Sequence, residues 1–286
     1  MDDAWGTSAV GLVLARPPRL LGTEPFFMEF IAGIEERLAA HGRSVLLHVV
    51  ADQAAEIAAY RRWARQRLVD AVVLVNPSVD DGRPAVLREL RLPVVVTGEP
   101  TRGALAVRRD DVGSMRAALA HLVDLGHRRI ARISGPGTLL HTRARTAAML
   151  AAAADAAVEA VVVEGDYSEE AGAKLTAELL AGVEPPTAII YDNDLMAVAG
   201  LLAIKESGRR VPGDVSLIAW DDSSLCRLAS PALTTMSLDV HTFGELVGES
   251  VLRLVNGEPV PERWCATETV VARETTAAPS GLHRSA

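Results

Sequence analysis

The sequence predicts an α/β protein, with two subdomains each built on a doubly wound parallel sheet, and three observations lead there. Short runs rich in valine, isoleucine and leucine recur along the chain, segments of helical periodicity stand between them, and the two alternate almost without a break. Strands that read as continuous apolar runs are buried on both faces, the condition of a parallel sheet covered by its crossover helices. The chain has 286 residues, 49% of them apolar, which is ample for buried cores and favours about two domains. One sheet holding every predicted strand would exceed the usual size, so two subdomains sharing the chain is the economical arrangement. No Ser/Gly-rich linker separates them and no internal repeat is evident, so short crossovers and a cleft are expected.

The elements follow in order. Residues 8–15 form an apolar run bounded by Gly6 and by Arg16-Pro17-Pro18, and read as a buried strand. A helix follows: Pro25 suits a first turn, Phe26, Phe30, Ile34 and Leu38 recur at helical spacing, and Gly42 is placed to end it. Next come a strand at 44–50, a helix at 53–66 and a strand at 71–75. Further strands are predicted at 94–97, 130–133, 158–163, 188–191 and 215–220, with helices at 113–125, 142–154, 168–181, 194–207 and 241–256.

Composition excludes several classes. Cys226 and Cys265 stand alone, without C-x-x-C or other metal-ligand spacing, so they read as small core residues rather than a disulfide or zinc framework. Met1 to Thr7 carry two aspartates and no basic segment leading into a long apolar one, and no apolar run approaches the length of a membrane span, so a soluble, cytoplasmic protein is predicted. The net charge of −8 opposes non-specific attraction to phosphates, and the short basic clusters, such as Arg61-Arg62 and Arg128-Arg129, read as solvated faces. The chain alone should bind DNA poorly.

In open parallel sheets ligands bind outside the carboxyl ends of the strands. Those positions hold Asn76-Pro77-Ser78, Thr97-Gly98-Glu99, Arg109-Asp110-Asp111, Gly165-Asp166, Asp192-Asn193-Asp194 and Asp221-Asp222, with Phe26 and Phe27 opening one helix and Arg143 and Arg145 another. Carboxylates, an amide, a guanidinium and aromatic rings suit a small polyhydroxylated ligand, a sugar above all, whose hydroxyls donate and accept while its C–H faces stack. Each Asp or Asn after a strand also has an ordinary reading as a turn or helix cap. Phe26 and Phe27 cannot face the same way, so one is expected in the core and the other at the site. No G-x-G-x-x-G, P-loop, G-x-S-x-G or H-E-x-x-H is present. No cofactor, metal or catalytic residue is therefore predicted, and the aspartate pairs are a weak case for glycoside chemistry.

From Val10 to Pro279 several stretches resemble the lactose-repressor (LacI/GalR) family of transcription regulators. They are Asp110-Asp111-Val112-Gly113 leading to His121-Leu122 and Leu125-Gly126-His127-Arg128-Arg129-Ile130, then Pro186-Thr187-Ala188, Asn193-Asp194-Leu195-Met196-Ala197, Val211-Pro212-Gly213-Asp214-Val215-Ser216, Trp220-Asp221-Asp222 and Pro231-Ala232-Leu233-Thr234-Thr235. The resemblance implies a periplasmic-binding-protein-like core with three crossovers, near Ser134-Gly135, Asp239-Val240 and Val271-Ala272. The subdomains would then be 1–134 with 240–271, and 135–239 with 272–286. It also implies effector contacts at Phe26, Phe27, Arg145, Asn193 and Asp221, with Arg109 or Asp110, and a homodimer; the tail has no leucine heptads that would tetramerise it. DNA would be bound only through a helix-turn-helix head, where this chain has Met1 to Thr7. The implied function is sensing a small effector, a sugar or sugar derivative. The alternatives are a solute-binding protein for sugar uptake and a sugar-processing enzyme. The departures from the family pattern, at Glu24, Gly98-Glu99, Ala148-Met149 and Leu238, bear on ligand identity.

Overall fold

A computed structural model describes residues 9–16, 25–99 and 105–280. Met1 to Ser8, among them the first residue of the predicted first strand, lie outside the described residues, as does Glu24. The chain divides into two compact units, 1–109 with 239–266 and 110–238 with 267–286.

The first unit runs β1 (Ala9–Ala15), α1 (Pro25–Ala39), β2 (Ser44–Val50), α2 (Gln53–Gln66), β3 (Ala71–Leu74), α3 (Arg83–Glu89), β4 (Val94–Thr97) and β5 (Leu105–Arg108). The second runs α4 (Asp111–Asp124), β6 (Arg129–Ser134), α5 (Leu140–Asp155), β7 (Glu159–Glu164), α6 (Glu169–Ala181), β8 (Ala188–Tyr191), α7 (Asp194–Glu206), β9 (Ser216–Trp220), α8 (Ser224–Leu228) and β10 (Thr234–Ser237). The chain then returns with α9 (Val240–Val255) and β11 (Arg263–Trp264) in the first unit, and β12 (Thr269–Val271) in the second.

Both sheets have six strands, ordered β11-β5-β4-β3-β1-β2 and β12-β10-β9-β8-β6-β7, parallel except for the β10–β12 pair. The order is the same in both, a structural repeat that is not evident in the sequence. In each sheet the winding reverses at one point, between β1 and β3 and between β6 and β8, and a crevice opens outside the strand ends at such a point.

The expected first crossing near Ser134-Gly135 is corrected: it lies at Arg109-Asp110. β6 pairs with β7 and β8 rather than with any strand of the first unit, and α4 packs on α5. The other crossings fall at Leu238-Asp239 and Ala266-Thr267. The last precedes the expected place because β12 pairs with β10.

Why the strands read as unbroken apolar runs is plain in β8. Successive side chains point to opposite faces; Ile189 and Tyr191 join a core with Ile133, Met196, Leu201 and Leu217, whereas Ala188 and Ile190 join another with Leu119, Met149, Ile218 and Trp220. Both faces are covered, so both must be apolar. In the first unit one face packs Val13, Tyr60, Trp63, Val72, Leu74 and Val96 together. The other carries α1 against α9, and glycine allows their close approach: a Cβ at Gly33 would lie 2.0 Å from the His241 carbonyl oxygen, and one at Gly244 2.2 Å from that of Phe30. Both cysteines are buried thiols, as the composition implied. Among the described residues no helix is long and apolar enough to cross a membrane.

Candidate functional site

In the second unit the strand ends are organised by a buried ion pair. Arg132 lies inside β6, and its Nε and one terminal nitrogen donate to the two carboxylate oxygens of Asp192, just past β8, at 2.7 and 2.6 Å. Both side chains are fully buried. The other guanidinium nitrogen donates to Thr146 Oγ1 at 2.8 Å, and Asp192 also accepts from the Gly135 amide at 3.0 Å. Burial opposes the Asp192 charge, but Arg132 outweighs it and holds the carboxyl below its usual range. One pair thus ties the start of the loop after β6 to the end of β8. Gly135 leaves room for the Tyr167 phenol, which a Cβ there would meet at 2.1 Å.

Asn193 follows Asp192 and caps α7: its Oδ1 accepts from the Met196 amide at 2.9 Å and its Nδ2 donates to the Tyr167 carbonyl at 3.0 Å. Asp110 caps α4, accepting from the Gly113 amide at 2.8 Å. These two expected contact residues therefore serve as helix caps, the ordinary role of their residue types after a strand. Each also sits at a strand end.

Arg145, on α5, is 2% exposed. Its Nε donates to Asp111 Oδ1 at 2.7 Å, and its guanidinium carbon lies 4.1 Å from the centre of the Trp220 ring. Burial opposes its charge, yet Asp111 first, then Glu268, Asp192 and Asp221, more than offset this and hold it cationic. Asp221, the next residue after β9, is half-buried with φ +94°, and Asp222 follows at φ +58°. Two left-handed non-glycine residues in succession are costly and need outside support. Support comes from Arg273, which donates to Asp222 Oδ1 at 2.6 Å and to the Leu233 carbonyl, and from the Asp221 amide, which donates to the Met236 carbonyl.

In the first unit an aromatic cluster gathers around the start of α1. Phe27 is buried and Phe26 half-buried, the division the helical spacing required. Their rings meet edge-on at 5.2 Å, Phe26 stacks on Phe30 at 6.1 Å, and Phe30 packs on Phe243 at 5.2 Å. Arg16 lies over Phe27 at 4.5 Å, and Arg109 stands 5.8 Å from Phe26 and 5.9 Å from Phe243. Below the end of β3, buried Arg83 binds Glu56, Asp81 and the carbonyls of Val75 and Asn76.

Phe26, Phe27 and Arg109 thus come together in one unit, and Asp110, Arg145, Asn193 and Asp221 belong to the other, Asn193 and Asp221 just past β8 and β9. Sequence reasoning missed Arg132, Trp220 as the platform under Arg145, and Arg273. A lone arginine inside an otherwise apolar strand was the available signal for the first.

Residues 119–276 match the family model described as a periplasmic binding protein-like domain. A solved LacI family transcriptional regulator from Bifidobacterium animalis subsp. lactis superposes with a TM-score of 0.87 at 31% identity, over 96% of this chain and 99% of that one. The chain belongs to the LacI family of transcriptional regulators. The HTH-type transcriptional regulator CelR of Thermobifida fusca is 29% identical over 278 residues, 94% of this chain and 81% of the relative. A solved CelR–cellobiose complex has a TM-score of 0.86 at 29% identity, covering 94% and 85% of the two chains. This LacI-family chain is therefore a regulator's ligand-binding domain, and its relatives are regulators rather than enzymes.

Proposed function

We propose that this domain senses a sugar through the polar and aromatic side chains at the carboxyl ends of its strands, and works as a homodimer that controls DNA binding by a helix-turn-helix head. The observation that carries the reading is the strand-end set of the second unit: a guanidinium held charged on an indole face beside aspartates, with Asp221 presented on a left-handed backbone. Strain of that kind persists where surrounding structure enforces it, and it gathers at ligand sites. A sugar suits such a set, since its hydroxyls both donate and accept and so can meet carboxylates and a guanidinium alike. The CelR–cellobiose complex among the structural neighbours supports a saccharide as the effector class.

The test is calorimetric titration with mono- and disaccharides, cellobiose included. One-to-one binding of at least one sugar in the micromolar range is expected. Heat from none of them, with tight binding of a non-saccharide metabolite instead, would overturn the sugar assignment. Turnover of a glycoside would favour the enzyme reading.

A further inference from the structure

The helix pair α1 and α9 carries a cluster that the sensing function does not use. Glu36 on α1 and His241 and Glu245 on α9 each aim one ligand-type atom at the others, all within 4.8 Å of one another. His241 Nε2 stands 3.0 Å from Glu36 Oε2. His241 and Glu245 are four residues apart on one helix, so they share a face, and Glu36 meets them from the neighbouring helix. The supports are rigid because Gly33, Gly244 and Gly248 let the two helices approach backbone to backbone.

We propose that Glu36, His241 and Glu245 form a binding site for a divalent transition metal, with Zn²⁺ the best fit. One imidazole with two carboxylates is a donor set that zinc accepts, with water completing a tetrahedron. At zinc bond lengths of about 2.0–2.2 Å the donor atoms of a tetrahedron stand about 3.4 Å apart. The observed spread closes to that by side-chain rotation alone, because Glu36 and His241 are partly exposed. Arg37 competes, pairing with Glu245 Oε1 at 2.9 Å, but it leaves Oε2, and being 49% exposed it can swing into water. A bound ion would staple α1 to α9, and α1 is the helix that opens with Phe26 and Phe27. The i,i+4 His/Glu spacing is too common to signal such a site in a sequence; the third donor comes from the fold.

The test is titration of the untagged chain with Zn²⁺ in competition with a chromophoric chelator, together with thermal melts with and without the metal. One saturable micromolar site per chain is expected, with a melting temperature that rises with free Zn²⁺. His241→Ala and the more exposed Glu36→Gln should each weaken it by at least about tenfold, the lower end of what loss of even an outer-shell partner costs a metal site. Absence of a saturable micromolar site in the parent overturns the proposal. So does uptake by both variants equal to that of the parent, which would place the ion elsewhere. Sugar titration is a separate readout, so failure here leaves the sensing function to be judged by its own test.

Discussion

Replacing Arg132 by methionine would test whether the buried pair organises the strand ends of the second unit. Methionine replaces the apolar stem of arginine with an unbranched apolar chain and removes the guanidinium. Asp192 would then keep the hydrogen bond from the Gly135 amide but lose the guanidinium, while staying fully buried. Breaking a buried ion pair at one end strands the other charge and costs about 3–5 kcal/mol, whereas replacing both ends with apolar groups of similar volume is often near neutral. In a unit of this size each kcal/mol lowers the melting temperature by about 2–4 °C, so Arg132→Met should melt roughly 6–20 °C below the parent. Arg132→Met with Asp192→Leu should recover much of that loss, and a double-mutant cycle should return a coupling of at least about 2 kcal/mol. Because Asp192 also holds Gly135, even the recovered double variant should bind effector more weakly than the parent. Thermal melts and calorimetry check the two halves. Additive single costs, or an Arg132→Met melt within about 2 °C of the parent, would refute the argument.

Three further outcomes follow. Gly244→Ala sets a helix-propensity gain of up to about 1 kcal/mol against a Cβ placed 2.2 Å from the Phe30 carbonyl; overpacking costs about 1–3 kcal/mol or more, so urea unfolding should show a net loss, and an unchanged midpoint would contradict the close-packed α1–α9 contact. His127 is 1% exposed, and burial, its largest influence, pushes the imidazole below its usual 6.5. The unfolded chain then takes up a proton that the folded one refuses, so stability should fall as pH drops through about 6.5, by up to about 1.4 kcal/mol per pH unit. His127→Asn should flatten that slope in melts between pH 7 and 5, and parallel curves would contradict it. Sedimentation across micromolar concentrations should show a dimer; monomer alone would favour the solute-binding alternative.

Much of this architecture was legible because parallel sheets covered on both faces leave an unambiguous apolar signature, as in Ala188-Ile189-Ile190-Tyr191. The strand-end rule then supplied the residues proposed for the site. What was not legible depends on partners distant in the chain. The first crossing was misplaced because nothing local in 110–134 shows that β6 will pair with β7 and β8. β5, with its single Leu-Ala-Val-Arg turn of strand, is too short to stand out. Asn193 and Asp110 look alike as caps and as ligand contacts, since an oxygen after a strand serves either purpose. Arg132 drew no reading inside its strand and Arg145 was expected at the effector, yet their partners Asp192 and Asp111 take both into the interior.

The most direct test of the sensing account is calorimetric titration of Asp221→Asn beside the parent, using the best sugar from the panel. Asparagine tolerates positive φ better than alanine does, so the backbone at φ +94° is disturbed least while the charged acceptor is lost. Hydrogen bonds to charged groups are worth about 1.5–3 kcal/mol, and the neutral amide keeps part of that, so binding about tenfold weaker is predicted, in a variant that melts within about 2 °C of the parent. Unchanged affinity in a variant that melts like the parent would contradict the account, leaving Asp221 as a turn residue and the effector read elsewhere.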